Sequence, residues 1–100
     1  MPEPLRFHRQ VASDLHNATW WYESISIELV NRFRENVDAR LDDIAASPQS
    51  FAFAFSDIRF ARIRRFPYII VFQEVDDLVN ILGVFHGASN PTSWKRRTRN

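Results

Sequence analysis

One hundred residues suffice for one compact domain and are too few for two, and 45% hydrophobic residues with only two glycines give the chain enough apolar surface to fold. The absence of cysteine excludes a disulfide framework and a thiolate metal site, and no apolar run is long enough to cross a bilayer. The net charge of +1 is unevenly spread: residues 1–56 carry five arginines against eight acids, and residues 57–100 carry eight basic residues against four acids, so the carboxy-terminal half is the one suited to phosphates or to an acidic partner.

Leu5 to His8 predicts a short first strand, and the preceding Pro2, Glu3 and Pro4 contain no apolar core of the secretory kind, so the cytoplasm is the expected compartment. From about Gln10 the apolar residues Val11, Leu15, Ala18 and Tyr22 fall on one face of a helix. Trp20 and Trp21 extend beyond that stripe; either both cover the core or at least one meets a second element or a partner. Ser24 and Ser26 are candidate N-caps of a second helix, whose stripe is Val30, Phe33, Val37, Leu41 and Ile44. Glu28 sits in its first turn, four residues before Arg32, and Pro48 ends it. Two such helices form an antiparallel hairpin that needs a sheet to lie on.

Phe51, Phe53 and Phe55 alternate with alanines, as in an extra strand or an extended loop, and would share one side, against the hairpin or under a binding partner. In the next strand Ile58 and Phe60 have one parity and Ala61 and Ile63 the other, which implies either two apolar faces or a bulge near Phe60 and Ala61. Pro67 breaks this strand, Tyr68 to Glu74 forms another, Asp76-Asp77 is a turn, and Leu78 to His86 is the last, with Gly83 permitting close backbone approach. Asn90 as N-cap and Pro91 at the first helical position predict a short final helix before a basic tail at about 95–100. The expected fold is α+β, in one domain over residues 1–100: an N-terminal strand and an antiparallel helical hairpin packed on a three- to four-stranded antiparallel sheet, with a short C-terminal helix. His8, His16 and His86 lack metal-binding spacing and there is no Gly-rich phosphate loop, so neither metal nor cofactor is expected.

Function concentrates in Arg59 to Trp94. Arg59, Arg62, Arg64 and Arg65 crowd within seven residues of one strand and repel one another unless something anionic meets them; Lys95 and Arg96 add to the same candidate set for a target or phosphate. His86 can serve as an acid or base, with Arg65 and either Arg62 or Arg64 on a phosphate, or it can hold the turn toward Pro91; Arg65 can equally pair with Glu23 or a backbone carbonyl. Tyr68 and Trp94 read as packing residues.

Arg65-Phe66-Pro67-Tyr68, the apolar hairpin after it, Val84-Phe85-His86-Gly87 and Pro91 to Trp94 resemble the RelE/ParE superfamily of toxins from type II toxin–antitoxin modules. Phe7-His8, Val11, Asp14-Leu15, Trp21-Tyr22-Glu23 and Ser47-Pro48 are also similar to that family, so the likeness spans nearly the whole chain. It implies a toxin neutralised by a cognate antitoxin whose acidic, amphipathic C-terminal segment would cover Trp20 and Trp21 or Phe51, Phe53 and Phe55. The expected assembly is a homodimer or a heterotetramer with the antitoxin. Members of the superfamily divide between inhibitors of DNA gyrase and endoribonucleases that cleave mRNA on the ribosome. His86 and Arg65 would be the catalytic pair in the second case. However, the YoeB-like pattern has a glutamate base and an aromatic after the histidine, where this chain has Asp57 as the nearest acid and Gly87; the RelE-like pattern has sheet lysines and a late tyrosine, where it has Lys95 alone and no tyrosine after Tyr68. These departures favour the gyrase-type reading.

Overall fold

The computed structural model describes residues 4–99; Pro2 and Glu3 of the N-terminal reading and Asn100 of the basic tail lie outside the described residues. The order is β1 (Leu5–Phe7), α1 (Val11–Glu23), α2 (Ile27–Ala46), β2 (Phe53–Phe55), β3 (Ile58–Arg62), β4 (Tyr68–Val75), β5 (Leu78–His86) and α3 (Thr92–Arg96). The sheet has five strands rather than three or four, in the order β1-β5-β4-β3-β2. Its one departure from antiparallel pairing is β1, which runs parallel to β5 because the helical hairpin carries the chain across one face before β2 begins.

Both helix stripes fold inward as their spacing requires. Val11, Ala18 and Tyr22 of α1 and Val30, Phe33, Val37 and Ile44 of α2 pack on Ala61, Ile63, Ile70, Phe72, Val79, Ile81 and Val84. Ser26 is the cap of α2, its hydroxyl accepting from the Leu29 N–H at 3.1 Å, whereas the Ser24 hydroxyl donates back to the Trp21 carbonyl and closes α1. Glu28 and Arg32 do not pair; the described ion pair on α2 is Arg40 with Asp43, 3.2 Å apart. At α3 the cap is displaced by one residue: Pro91 occupies the N-cap, and the Asn90 side chain accepts from the Thr92 N–H.

The mixed parity of β3 is resolved as two apolar faces. Its pairing with β4 is continuous from Ile58 to Arg62, so no bulge occurs there, and Ile58 and Phe60 join Ile69, Val71, Leu82, Phe85 and Trp94 on the face away from the α1–α2 hairpin. The bulge lies in β5, where Gly83 faces Val71 and Ile81 faces Phe72, leaving Leu82 as the extra residue. This shift returns Val84 to the side of Val79 and Ile81. A second shift separates the phenylalanines. Phe53 pairs with Arg59 and Phe55 with Ile58, so the two face opposite ways, while Phe51 tucks edge-on against Phe72; the three do not share one side.

Asp76 and Asp77 form a two-residue turn between paired Val75 and Leu78, both with positive φ (50° and 64°), as a type I′ hairpin requires. Glycine adopts this conformation without strain. Asp77→Gly is therefore expected to raise stability by about 1 kcal/mol, seen as a higher urea midpoint with unchanged slope.

Candidate functional site

The β3–β4 turn, residues 63–67, is fastened to α2 through its backbone. Arg40 Nε donates to the Arg62 carbonyl at 2.7 Å, and the Asn36 amide donates to the Arg64 carbonyl at 3.1 Å. With the carbonyls of Arg62 and Arg64 held by α2, the exposed side chains of Arg62, Arg64 and Arg65 stand on a braced edge. Arg65 has a φ of 66°, a left-handed conformation that costs a non-glycine residue about 1 kcal/mol. Glycine would adopt this conformation without that cost.

The arginines expected to crowd on one strand are dispersed. Arg64 and Arg65 line a cleft of about 480 Å³ with Leu29, Arg32, Glu35 and Asn36 of α2. Arg62 lies on the other side, in a cleft of about 380 Å³ with Phe60, Ile69, Gly87, Pro91 and Trp94. Arg59 is withdrawn into the fold: its guanidinium donates to the Phe51 carbonyl at 2.5 Å, pairs with Glu74 at 3.4 Å and stacks on Phe53 at 3.9 Å. It is occupied by internal partners. Lys95 lies over Phe55, 3.8 Å from the ring centroid, and Arg96 belongs to a separate cleft with His8 and Arg9. Dispersal relieves the mutual repulsion that four cations on one strand would suffer.

His86 stands opposite Tyr68 across the β4–β5 pair, the rings edge to face at 5.4 Å. Its Nδ1 accepts from the Ala88 N–H at 3.1 Å, which places the neutral ring's proton on Nε2. The following Gly87 N–H donates to the Pro67 carbonyl, which ties the start of the segment leading to α3 to the β3–β4 turn. Asp57 cannot serve it. The Asp57 carboxylate accepts from Gln73, which is five residues along β4 from Tyr68, or about 17 Å at 3.4 Å per residue. Arg65 likewise makes no ion pair with Glu23 among the described residues.

Trp20 and Trp21 do not cover the core: they are 68% and 59% exposed, and with Ile25 and Ile27 they leave an apolar surface around the α1–α2 turn. Tyr22, the neighbour that does turn inward, packs on Phe33, Phe66 and Tyr68, and burial, reinforced by Tyr68, raises its pKa. Phe53 and Phe55 are also partly exposed, at the β2 edge, whereas Phe51 is half-buried.

Sequence reasoning missed the pairing of Asp14 with Arg97. Arg97, counted there with the cations of the basic half, donates to both Asp14 oxygens at 2.6 and 3.1 Å and to the Leu82 carbonyl at 3.1 Å, while Asp14 accepts from the Val84 N–H at 3.0 Å. The two residues are 83 positions apart, and no periodicity connects them. Among the described residues no three His, Cys, Asp or Glu side chains gather as metal ligands, and no helix is long and apolar enough to cross a membrane.

A family model described as the ParE toxin of the type II toxin–antitoxin system parDE matches residues 5–91. The chain is 32% identical to Toxin ParE2 of Mycobacterium tuberculosis strain H37Rv over 94 residues, which is 93% of this chain and 90% of that protein. Among solved structures it is similar to the chromosomal ParDE system from P. aeruginosa, with a TM-score of 0.69 and 17% identity over 84% of this chain and 95% of that one. It is also similar to the toxin–antitoxin complex RelBE2 from Mycobacterium tuberculosis, with a TM-score of 0.55 and 21% identity over 86% and 99%. At these identities the two structures bear on the fold.

Proposed function

Because this chain belongs to the ParE toxin family of type II toxin–antitoxin systems, we propose that it arrests growth by inhibiting a topoisomerase such as DNA gyrase, in the cytoplasm, without catalysing a reaction of its own. The observation that carries this reading is the state of His86. Cleavage of RNA by its own 2′-hydroxyl needs a base, an acid and cations around one phosphate. Here the Ala88 N–H holds the histidine's Nδ1 and leaves Nε2–H as its one donor, but the carboxylate nearest in sequence before the basic strand, Asp57, lies about 17 Å along the sheet and cannot act with it as base. What the turn and α2 together present is a surface of Arg64, Arg65 and Arg32 in which Glu35 is the one acid, a cationic excess suited to an acidic protein patch.

Pulse labelling of DNA and protein synthesis after induction tests the reading. DNA synthesis is expected to fail first, followed by loss of supercoiling activity when purified chain is added to gyrase. If protein synthesis fails first and ribosome-bound mRNA is cut, the chain is instead an endoribonuclease with His86 as its acid or base.

The antitoxin segment we assign to the surface around the α1–α2 turn and the β2 edge, with Trp20, Trp21, Phe53 and Phe55 as apolar anchors, in a heterotetramer or a related assembly. A few anchors, tryptophans prominent among them, carry most of an interface's affinity, and truncating such an anchor costs about 2 kcal/mol or more. Trp20→Ala with Trp21→Ala is expected to weaken antitoxin binding by about a hundredfold or more, leaving the unfolding midpoint of the free toxin nearly unchanged. Calorimetric titration against the neighbouring gene's product measures the first effect and thermal unfolding the second.

A further inference from the structure

Where β1 passes into α1, a cleft of about 350 Å³ opens between that junction and α3, lined by His8, Arg9, Gln10, Ser93, Arg96 and Arg97. The acid close to it, Asp14, is already spent: both oxygens bond Arg97, and Oδ2 also accepts from Val84. Among the described residues Arg9 and Arg96 have no ion-pair partner. His8 Nδ1 accepts from the Gln10 N–H at 3.1 Å, so its neutral ring offers Nε2–H as a donor, and Ser93 adds a hydroxyl. The cleft therefore offers two guanidinium groups, an imidazole N–H and a hydroxyl, with no uncommitted carboxylate among the described residues that line it.

We propose that this cleft binds a phosphate group, with Arg9 and Arg96 as its cationic ligands and His8 and Ser93 as further donors. A phosphate presents more acceptor oxygens than a carboxylate and can engage all four donors at once, and guanidinium groups match its geometry. The surroundings of His8 agree: burial lowers its pKa, Arg97 and Arg9 lower it further, and Asp14 opposes them only in part. The cleft is distinct from the turn assigned above to the target. The His8 N–H pairs with the Ile81 carbonyl, and Ile81 precedes His86 by five residues on β5, a distance of about 17 Å.

The test is an NMR titration of the full chain with inorganic phosphate at constant ionic strength, following the His8 ring. Saturable shifts are expected in the wild type, with affinity about tenfold weaker in Arg9→Gln or Arg96→Gln and unchanged in Arg64→Gln. Both glutamine variants change exposed side chains and should fold. Shifts that never saturate, or that Arg64→Gln diminishes as much as Arg96→Gln does, would overturn the assignment. Repeating the titration with AMP and with a short DNA duplex identifies the source: response to the duplex alone indicates a backbone phosphodiester, and response to AMP alone a phosphomonoester.

Discussion

Asp14→Ala is expected to remove about 3 kcal/mol of stability, the cost of taking one partner from a buried ion pair. The geometry explains so large an effect for one surface-derived acid. β1 pairs with β5 only as far as Phe7 and Ile81, and beyond that point the edge of β5 would expose the Leu82 carbonyl and the Val84 N–H. Asp14 and Arg97 take the place of the missing strand: the guanidinium donates to Leu82 and the carboxylate accepts from Val84. Their side chains are 11% and 13% exposed, and Arg97 stacks on Phe85, 4.5 Å from the ring centroid. Without Asp14 a nearly buried cation and a backbone amide lose their partners together. Against the roughly 5–15 kcal/mol that stabilises a domain of this size, such a loss is large. Arg97→Ala should cost a similar amount, and the double variant much less than the two losses added, since each single change strands the other group. Gly83→Ala should be costly for the same reason, because a Cβ there would lie 2.6 and 2.7 Å from Phe85 ring atoms and collide with the Arg97 guanidinium. Urea unfolding of the four variants measures all of this; additive losses, or a loss below about 1 kcal/mol for Asp14→Ala, would reduce the pair to an ordinary surface contact.

The helices, the Asp76-Asp77 turn and the last two strands were legible because each rests on a local signal: a 3.6-residue stripe, a turn pair, a period of two. The parallel placement of β1, the β5 bulge and the separation of Phe53 from Phe55 were not, because they depend on register between segments distant in sequence. The same limit applied to the site. Arginine spacing on β3 indicated a cationic strand, but which cations are free depended on Glu74 and two carbonyls claiming Arg59, and on Asp14 claiming Arg97. Gly83 was readable as a point of close approach, though what approaches it, a guanidinium from the far end of the chain, was not.

Arg65→Gly separates function from folding at the β3–β4 turn. Its φ of 66° strains an arginine and suits a glycine, so the variant should be at least as stable as wild type, by up to about 1 kcal/mol. Combined with Arg64→Ala it should nonetheless weaken inhibition of gyrase at least tenfold, since two charge-assisted contacts to an acidic surface are worth about 1.5–3 kcal/mol each. Loss of function in a protein that is no less stable cannot be ascribed to unfolding. His86→Ala provides the contrast. It removes the Ala88 bond and the contact with Tyr68, so stability should fall by about 1 kcal/mol, but on the proposed gyrase reading inhibition should stay within about threefold of wild type. Supercoiling and translation assays on both variants, each checked by thermal unfolding, decide between the gyrase-type and endoribonuclease readings. If His86→Ala is inert and the arginine variant still arrests translation, the histidine is the chemical centre and the cationic turn is secondary; the opposite pattern identifies a toxin that acts by holding its target through Arg64 and Arg65.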